Sequence, residues 1–276
     1  MLVQGQSGAG RESRPGRMSQ VCVGLFWLSL FAPALGVAQS DPRDLAGVWS
    51  YASLVPFQRP GEFADKVSLT QDEAVVFVQR RINALNFDLR DDTVFRQHSS
   101  FWYEYADSLD DERSTSRIVD PPDGRLPART AAAQSRRARE RALRRGSGGP
   151  EDRTARERCL VANSGPPMSP GVSNSNLQLF QTDDHVVIFN EMVHASRIIP
   201  LDGSAHLPAS VRQWIGDSRG RWDVNTLVVD TRNFTDKTTV RGSGPELHLV
   251  ERFTRVDADT LHHEYTVSDP VSFDRP

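Results

Sequence analysis

From residue 177 onward the chain is cut into short apolar segments by turn residues. "LQLFQ" and "VVIFNEM" flank Thr182-Asp183-Asp184-His185, and "ASRIIP" ends at Leu201-Asp202-Gly203. "DSRGRW" and "TLVVDT" flank Asp223-Val224-Asn225, while "LHLVERFTR" and "TLHHEYTV" flank Val256-Asp257-Ala258-Asp259. Strands at this spacing, joined by tight turns, predict an antiparallel meander over residues 161–276. An open sheet edge invites pairing with other chains. The expected fold is therefore mainly β, with the meander closing into a barrel-like or strongly curved sheet.

Residues 40–160 read differently. Residues 45–51 make a strand that the prolines at 56 and 60 end. "SLTQDEAVVFVQRRINAL" predicts a helix with Thr70 as N-cap and Asp72 and Glu73 in its first turn. "SSFWYEYAD" at residues 99–107 is an aromatic cluster. Residues 128–145, "ARTAAAQSRRARERALRR", predict a second helix with charge all round it. That helix is either a solvated insertion or a basic face for an anionic partner. The region is expected as an N-terminal strand followed by a helical, basic insertion.

The first 39 residues have the plan of a secretory leader. Arg11, Arg14 and Arg17 precede the apolar run of residues 21–36, and small residues follow. Met18 is a plausible start, and cleavage near residue 39 leaves a secreted or periplasmic chain. No later apolar stretch approaches the roughly 20 residues that span a bilayer. Cys22 leaves with the leader, so Cys159 is left alone in an exported chain. A net charge of −3 gives no reason to expect nucleic acid. No Cys/His spacing indicates zinc and no glycine-rich loop precedes a helix, so no cofactor or metal is indicated.

Two places carry chemistry. Gly216-Asp217-Ser218 with Asp259-Thr260-Leu261-His262 has the residue types of a serine esterase. Ser218, however, precedes a turn and a strand rather than a helix, so it reads as a weak nucleophile candidate. The last hairpin offers more. With Asp257-Ala258 as a two-residue turn, Glu251 faces Glu264, Phe253 faces His262 and Arg252 faces His263. Glu251, Glu264 and His262 then share a face and form the candidate acid–base set. Asp217, Arg219, Trp222, Arg252 and His248 are the candidate ligand contacts. A register slip of one residue would dissolve the cluster.

The motifs "SRIIPLDG", "QWIGDSRGRW" and "LHLVERFTRVDADT" resemble those of a large, functionally uncharacterised family of exported proteins from soil bacteria. The resemblance covers residues 41–276. It implies export, and it brings no activity and no catalytic residues. It also implies a continuation past residue 276 with a cysteine that would pair with Cys159. Gly47-Val48-Trp49 at the head of a meander is similar to the start of lipocalin-like barrels, in which a late arginine packs on the tryptophan. Arg252 or Arg255 would take that part. The function expected is binding of a small amphipathic molecule in a barrel mouth. The alternatives are a hydrolase or lyase acting on a small ester or lactone, and a structural envelope protein.

Overall fold

The computed structural model describes residues 2–8, 41–85, 106–143, 148–162, 164–171, 173–237 and 240–275. The leader's apolar run and most of the aromatic cluster lie outside these residues. The described strands are β1 (Leu2–Gly8), β2 (Gly47–Ser50), β3 (Ile118–Asp120), β4 (Asn176–Gln181), β5 (His185–Asn190), β6 (Ser196–Pro200), β7 (Asp217–Asp223), β8 (Thr226–Arg232), β9 (His248–Arg255) and β10 (Thr260–Ser268). Two α-helices, α1 (Gln71–Leu85) and α2 (Ala131–Leu143), lie between β2 and β4 in the chain.

The strands form two antiparallel leaves of four. One runs β2-β4-β5-β6 and the other β10-β9-β8-β7, with β1 paired along β10 and touching β2 through Gly8 and Ser50. β3 pairs with β1. Side-chain alternation gives each leaf an inner row. Leu177, Leu179, Val186, Ile188 and Ile199 come from the first leaf, and Leu227, Val229, Phe253 and Leu261 from the second. Both rows bury into one core with Leu45, Trp49 and Tyr51. Burying apolar area at about 25 cal/mol per Å² holds the leaves together.

The expected barrel is not there. The strand path is open, and neither leaf is closed or strongly curled. Among the described residues no ladder joins the end strands β6 and β7. Core residues from facing leaves remove the need for closure, because each inner face is covered by the other. The helices are internal rather than N-terminal. The lipocalin-like reading falls with the barrel, and so does ligand binding in a barrel mouth. The Trp49–Arg contact does exist in this open fold. The Trp49 indole N–H donates to Leu45 O at 3.0 Å, and the Arg255 guanidinium lies 5.5 Å from the ring centroid.

Local signals set the helices. Thr70 and Glu73 cap α1 reciprocally: Glu73 N donates to Thr70 Oγ1 at 3.3 Å, and Thr70 N donates to Glu73 Oε2 at 3.0 Å. Thr130 Oγ1 accepts from Ala133 N at the start of α2. Arg136 ties α2 to the body by donating to Gly242 O and Ser272 Oγ.

β6 and β7 approach each other over Gly220. A Cβ there would lie 2.6 Å from Leu201 Cδ2 and 2.8 Å from Ile199 Cγ2. Gly220→Ala should lower the melting temperature, and Gly220→Val should cost about 1–3 kcal/mol or more through overpacking. Denaturant melts of the two variants check this; a neutral Gly220→Val would mean that β6 does not pack there.

Candidate functional site

β9 and β10 pair with Leu261 opposite Arg255, one residue away from the register expected for a two-residue turn. Residues 256–259 form a longer loop, in which Val256 N donates to Thr260 O and Asp259 N to Asp257 Oδ1. The shift sends Glu251 opposite Tyr265 and Glu264 opposite Arg252. The expected Glu251–Glu264–His262 cluster is therefore dissolved. Glu264 and His262 lie on the other face of the hairpin from Glu251, and His263 takes the inner position.

Glu251 is fully buried. Arg197, reaching across from β6, places Nη1 2.7 Å from Oε2. His263 Nε2 lies 3.1 Å from Oε1. The His263 ring is stacked on Phe253, with centroids 4.4 Å apart and planes within 6°. Burial alone would push the Glu251 carboxyl up. The Arg197 charge and the His263 bond outweigh it and hold the group below its ordinary value. Arg197 Nε and Nη2, Asn190 Oδ1 and Ser164 Oγ are buried without a protein partner. Their residues line a cavity of about 10 Å³, together with Pro166, Met168 and Ile215. That is the scale of a single water, so this centre has no room for a substrate.

A second polar cluster occupies the opposite, outer face of β7, β8 and β9. Asp217, Arg219, Asp230, Arg232 and His248 share that face by alternation. Asp230 engages two imidazoles: its Oδ1 lies 2.9 Å from His206 Nε2 and its Oδ2 2.7 Å from His248 Nε2. The other ring nitrogen of His206, Nδ1, lies 2.9 Å from Asp217 Oδ2. Asp217 also accepts from Leu207 N at 2.9 Å and from Arg219 Nη1 at 2.7 Å. Arg219 Nε donates to Ala205 O, so the loop carrying His206 is pinned from both sides. Burial would raise both carboxyls. For Asp230 the bonds and charges of His248 and Arg232 outweigh it and hold the group far below the usual carboxylate range. For Asp217 the Leu207 N–H, His206 and Arg219 do the same to a smaller extent.

The remaining candidates are dispersed. Ser218 points inward, buried, with Oγ 3.0 Å from Thr231 Oγ1, and among the described residues no base is hydrogen-bonded to it. Trp222 packs on the inner core, with the Arg43 guanidinium 5.7 Å from its ring. Arg252 is half exposed and pairs with Asp223 at 3.0 Å. Cys159 is an exposed free thiol. Sequence reasoning missed Arg197, Asp230, His206 and His263. Arg197 alternates with Ile199 on one strand, a signal for an inward charge. His206 sits in a loop and gives no periodic signal. Among the described residues no group of three His, Cys, Asp or Glu side chains is arranged to hold a metal ion. No helix among them is long and apolar enough to cross a membrane.

Two predictions follow from the opposed faces. Glu251→Gln leaves Arg197 buried without its counter-charge and should cost about 3–5 kcal/mol. Arg252→Gln, at the next residue but on the exposed face, should cost less than about 1 kcal/mol. Equal losses in urea melts would contradict the register. The second prediction is acid sensitivity. Asp217, Asp230 and Glu251 have folded-state values below the unfolded ones, which are about 3.9 for Asp and 4.3 for Glu. Their stabilisation is complete above the unfolded values and is lost as pH falls through the folded ones. The melting temperature should hold to about pH 5 and fall below about pH 4. Asp230→Asn should flatten that acid limb, and an unchanged limb would remove Asp230 from the account.

No family model, no curated protein and no solved structure matches the chain.

Proposed function

We propose that the outer face of β7–β9 is an acid–base centre in an exported protein, with His248 as the proton-exchanging group and Asp230 as its orienting carboxylate. The observation that carries this reading is the position of Asp230, whose two oxygens each meet a different imidazole nitrogen, at 2.9 and 2.7 Å. A carboxylate that fixes one ring nitrogen of a histidine orients the ring and leaves the other nitrogen to exchange a proton, which is the geometry general acid–base work uses. His248 keeps about a third of its side chain exposed, so its ring is open to a small molecule. His206, held between Asp217 and Asp230, carries its loop against the site. With Ser218 turned into the core, the side chains at hand support proton transfer rather than covalent catalysis by that serine. Export is supported by the basic start, the apolar run and the small-residue exit of residues 11–39. The substrate on this reading is a small polar molecule that gives up or takes one proton.

A nitrobenzisoxazole, whose ring opens when a base removes one proton, tests the centre without knowledge of the natural substrate. The parent should open it faster than free imidazole at equal concentration. His248→Gln should lose about a hundred-fold of that rate. Asp230→Asn should lose rate while its circular dichroism stays that of the parent. If His248→Gln reacts at the parent rate, the cluster is only a staple for the His206 loop, and its substitutions should move the melting temperature alone.

A further inference from the structure

The side of the molecule that carries Phe57 holds two arginines, Arg117 partly buried and Arg241 exposed, with no carboxylate paired to either among the described residues. The segment ahead of β3 runs beside residues 56–57: Arg117 N donates to Pro56 O at 2.8 Å and Ile118 N to Phe57 O at 3.3 Å. This places the Arg117 guanidinium 5.4 Å from the Phe57 ring centroid. The Arg241 guanidinium lies over the same ring at 3.7 Å. Arg241 is fixed from behind, because its carbonyl accepts from Arg129 Nη2 at 3.0 Å and its backbone holds a φ of 56°. Its own Nη2 reaches only Ser169 Oγ, at 3.5 Å.

Among the described residues neither Arg117 nor Arg241 makes an ion pair with a carboxylate. Arg117 Nε is buried and has no hydrogen-bond partner. Burial pulls the Arg117 guanidinium down to about 10, Tyr265 acts the other way, and the charges of Arg241 and Arg81 lower it further. At neutral pH it is still a cation. A ring face offsets part of a guanidinium's charge, worth about 0.5–2 kcal/mol, but it satisfies none of the in-plane N–H donors. A partly buried charge with an unpartnered, buried N–H carries a desolvation cost that a bound anion would offset.

We propose that Arg117 and Arg241, stacked on Phe57 above the buried Tyr265, form a binding site for a small oxyanion. Planar guanidinium forks match the paired oxygens of a phosphate or carboxylate group. Phe57 lies against both guanidinium groups, and Arg117 Nε is left without a hydrogen-bond partner. Arg117 is the embedded half of the site, and exposed Arg241 is the half through which the anion arrives. The site is separate from the acid–base cluster and independent of that reading. It adjoins, through Arg129, a basic cleft of about 360 Å³ that Arg129 and the α2 residues Gln134, Arg137 and Arg141 line.

Thermal melts in inorganic phosphate, sulfate, acetate and chloride at equal ionic strength test the proposal. An anion that binds only the folded chain raises the melting temperature with its concentration. Phosphate or acetate should raise it over chloride by several degrees, and Arg241→Gln should abolish the difference. Arg117→Met should melt no lower than the parent in chloride, because it removes an unbalanced charge, and should no longer respond to phosphate. The double substitution Arg137→Gln/Arg141→Gln should keep the parent response. The proposal fails if no oxyanion exceeds chloride or if Arg241→Gln responds like the parent. It also fails if the α2 double variant loses the response, which would place binding in the cleft. A fall in the chloride melting temperature of Arg117→Met would make Arg117 a structural residue and overturn its part.

Discussion

A charge buried between the two leaves fixes how they meet. Glu251 has no solvent, so the guanidinium of Arg197 must arrive from the other leaf, and β6 has to lie over β9. The aliphatic residues around it would accept a shifted packing at modest cost, since leucine and isoleucine contacts are largely interchangeable. An ion pair in a low-dielectric interior would not, because a shift of one residue leaves two unpaired charges. His263 completes the carboxylate and is itself clamped on Phe253, which extends the constraint along the hairpin. The leaves therefore need no closing ladder between β6 and β7 to hold their arrangement.

With that arrangement set, alternation divides neighbours in sequence between unrelated tasks. On β7, Asp217 and Arg219 face outward into the histidine cluster, Ser218 faces inward to Thr231, and Gly220 makes room for Ile199 and Leu201. On β9, His248 joins Asp230 outside while Leu249 and Glu251 line the core. A tripeptide that reads as one motif, Gly216-Asp217-Ser218, is thus split across two faces of one strand. Its glycine serves the backbone: Gly216 has φ +72°, and a Cβ there would lie 2.7 Å from Thr231 Cγ2.

Much of this was legible in the sequence, and the failures are physical. The later strands and both helices follow from period-two and capping signals that act over a few residues, whereas β1 (Leu2–Gly8) falls in the segment expected as a leader. Thr70 with Glu73 is a local pair, so reading it requires no knowledge of the rest of the chain. The hairpin register was not legible, because it depends on whether residues 256–259 form a two-residue turn or a longer loop. Both suit Asp257 and Asp259. That single step moved Glu264 and His262 away from Glu251 and brought His263 in. Barrel closure was expected because open edges are a liability, but an open fold can instead cover its inner face with a second leaf. Asp217, Arg219 and His248 were legible as polar residues near a site. Their common partner Asp230 was not, because "TLVVDT" reads as an ordinary strand until its neighbours on both sides are known. His206 comes from a loop, and only tertiary contact brings it to Asp217 and Asp230.

Glu251 and Arg117 are charges met by different surroundings, and the difference bears on function. Glu251 meets Arg197 and His263, so its burial is balanced within the chain and its surroundings leave space for no more than a water. Such a group adds specificity to the packing and needs no ligand. Arg117 is embedded against Phe57 with another cation above the same ring, and the described structure supplies no carboxylate to either. Replacing Arg117 with an apolar residue would remove that cost. On the proposed reading, an anion from outside the chain supplies the charge that the described residues do not. The contrast separates a charge that assembles the fold from one that the fold holds in wait for a partner.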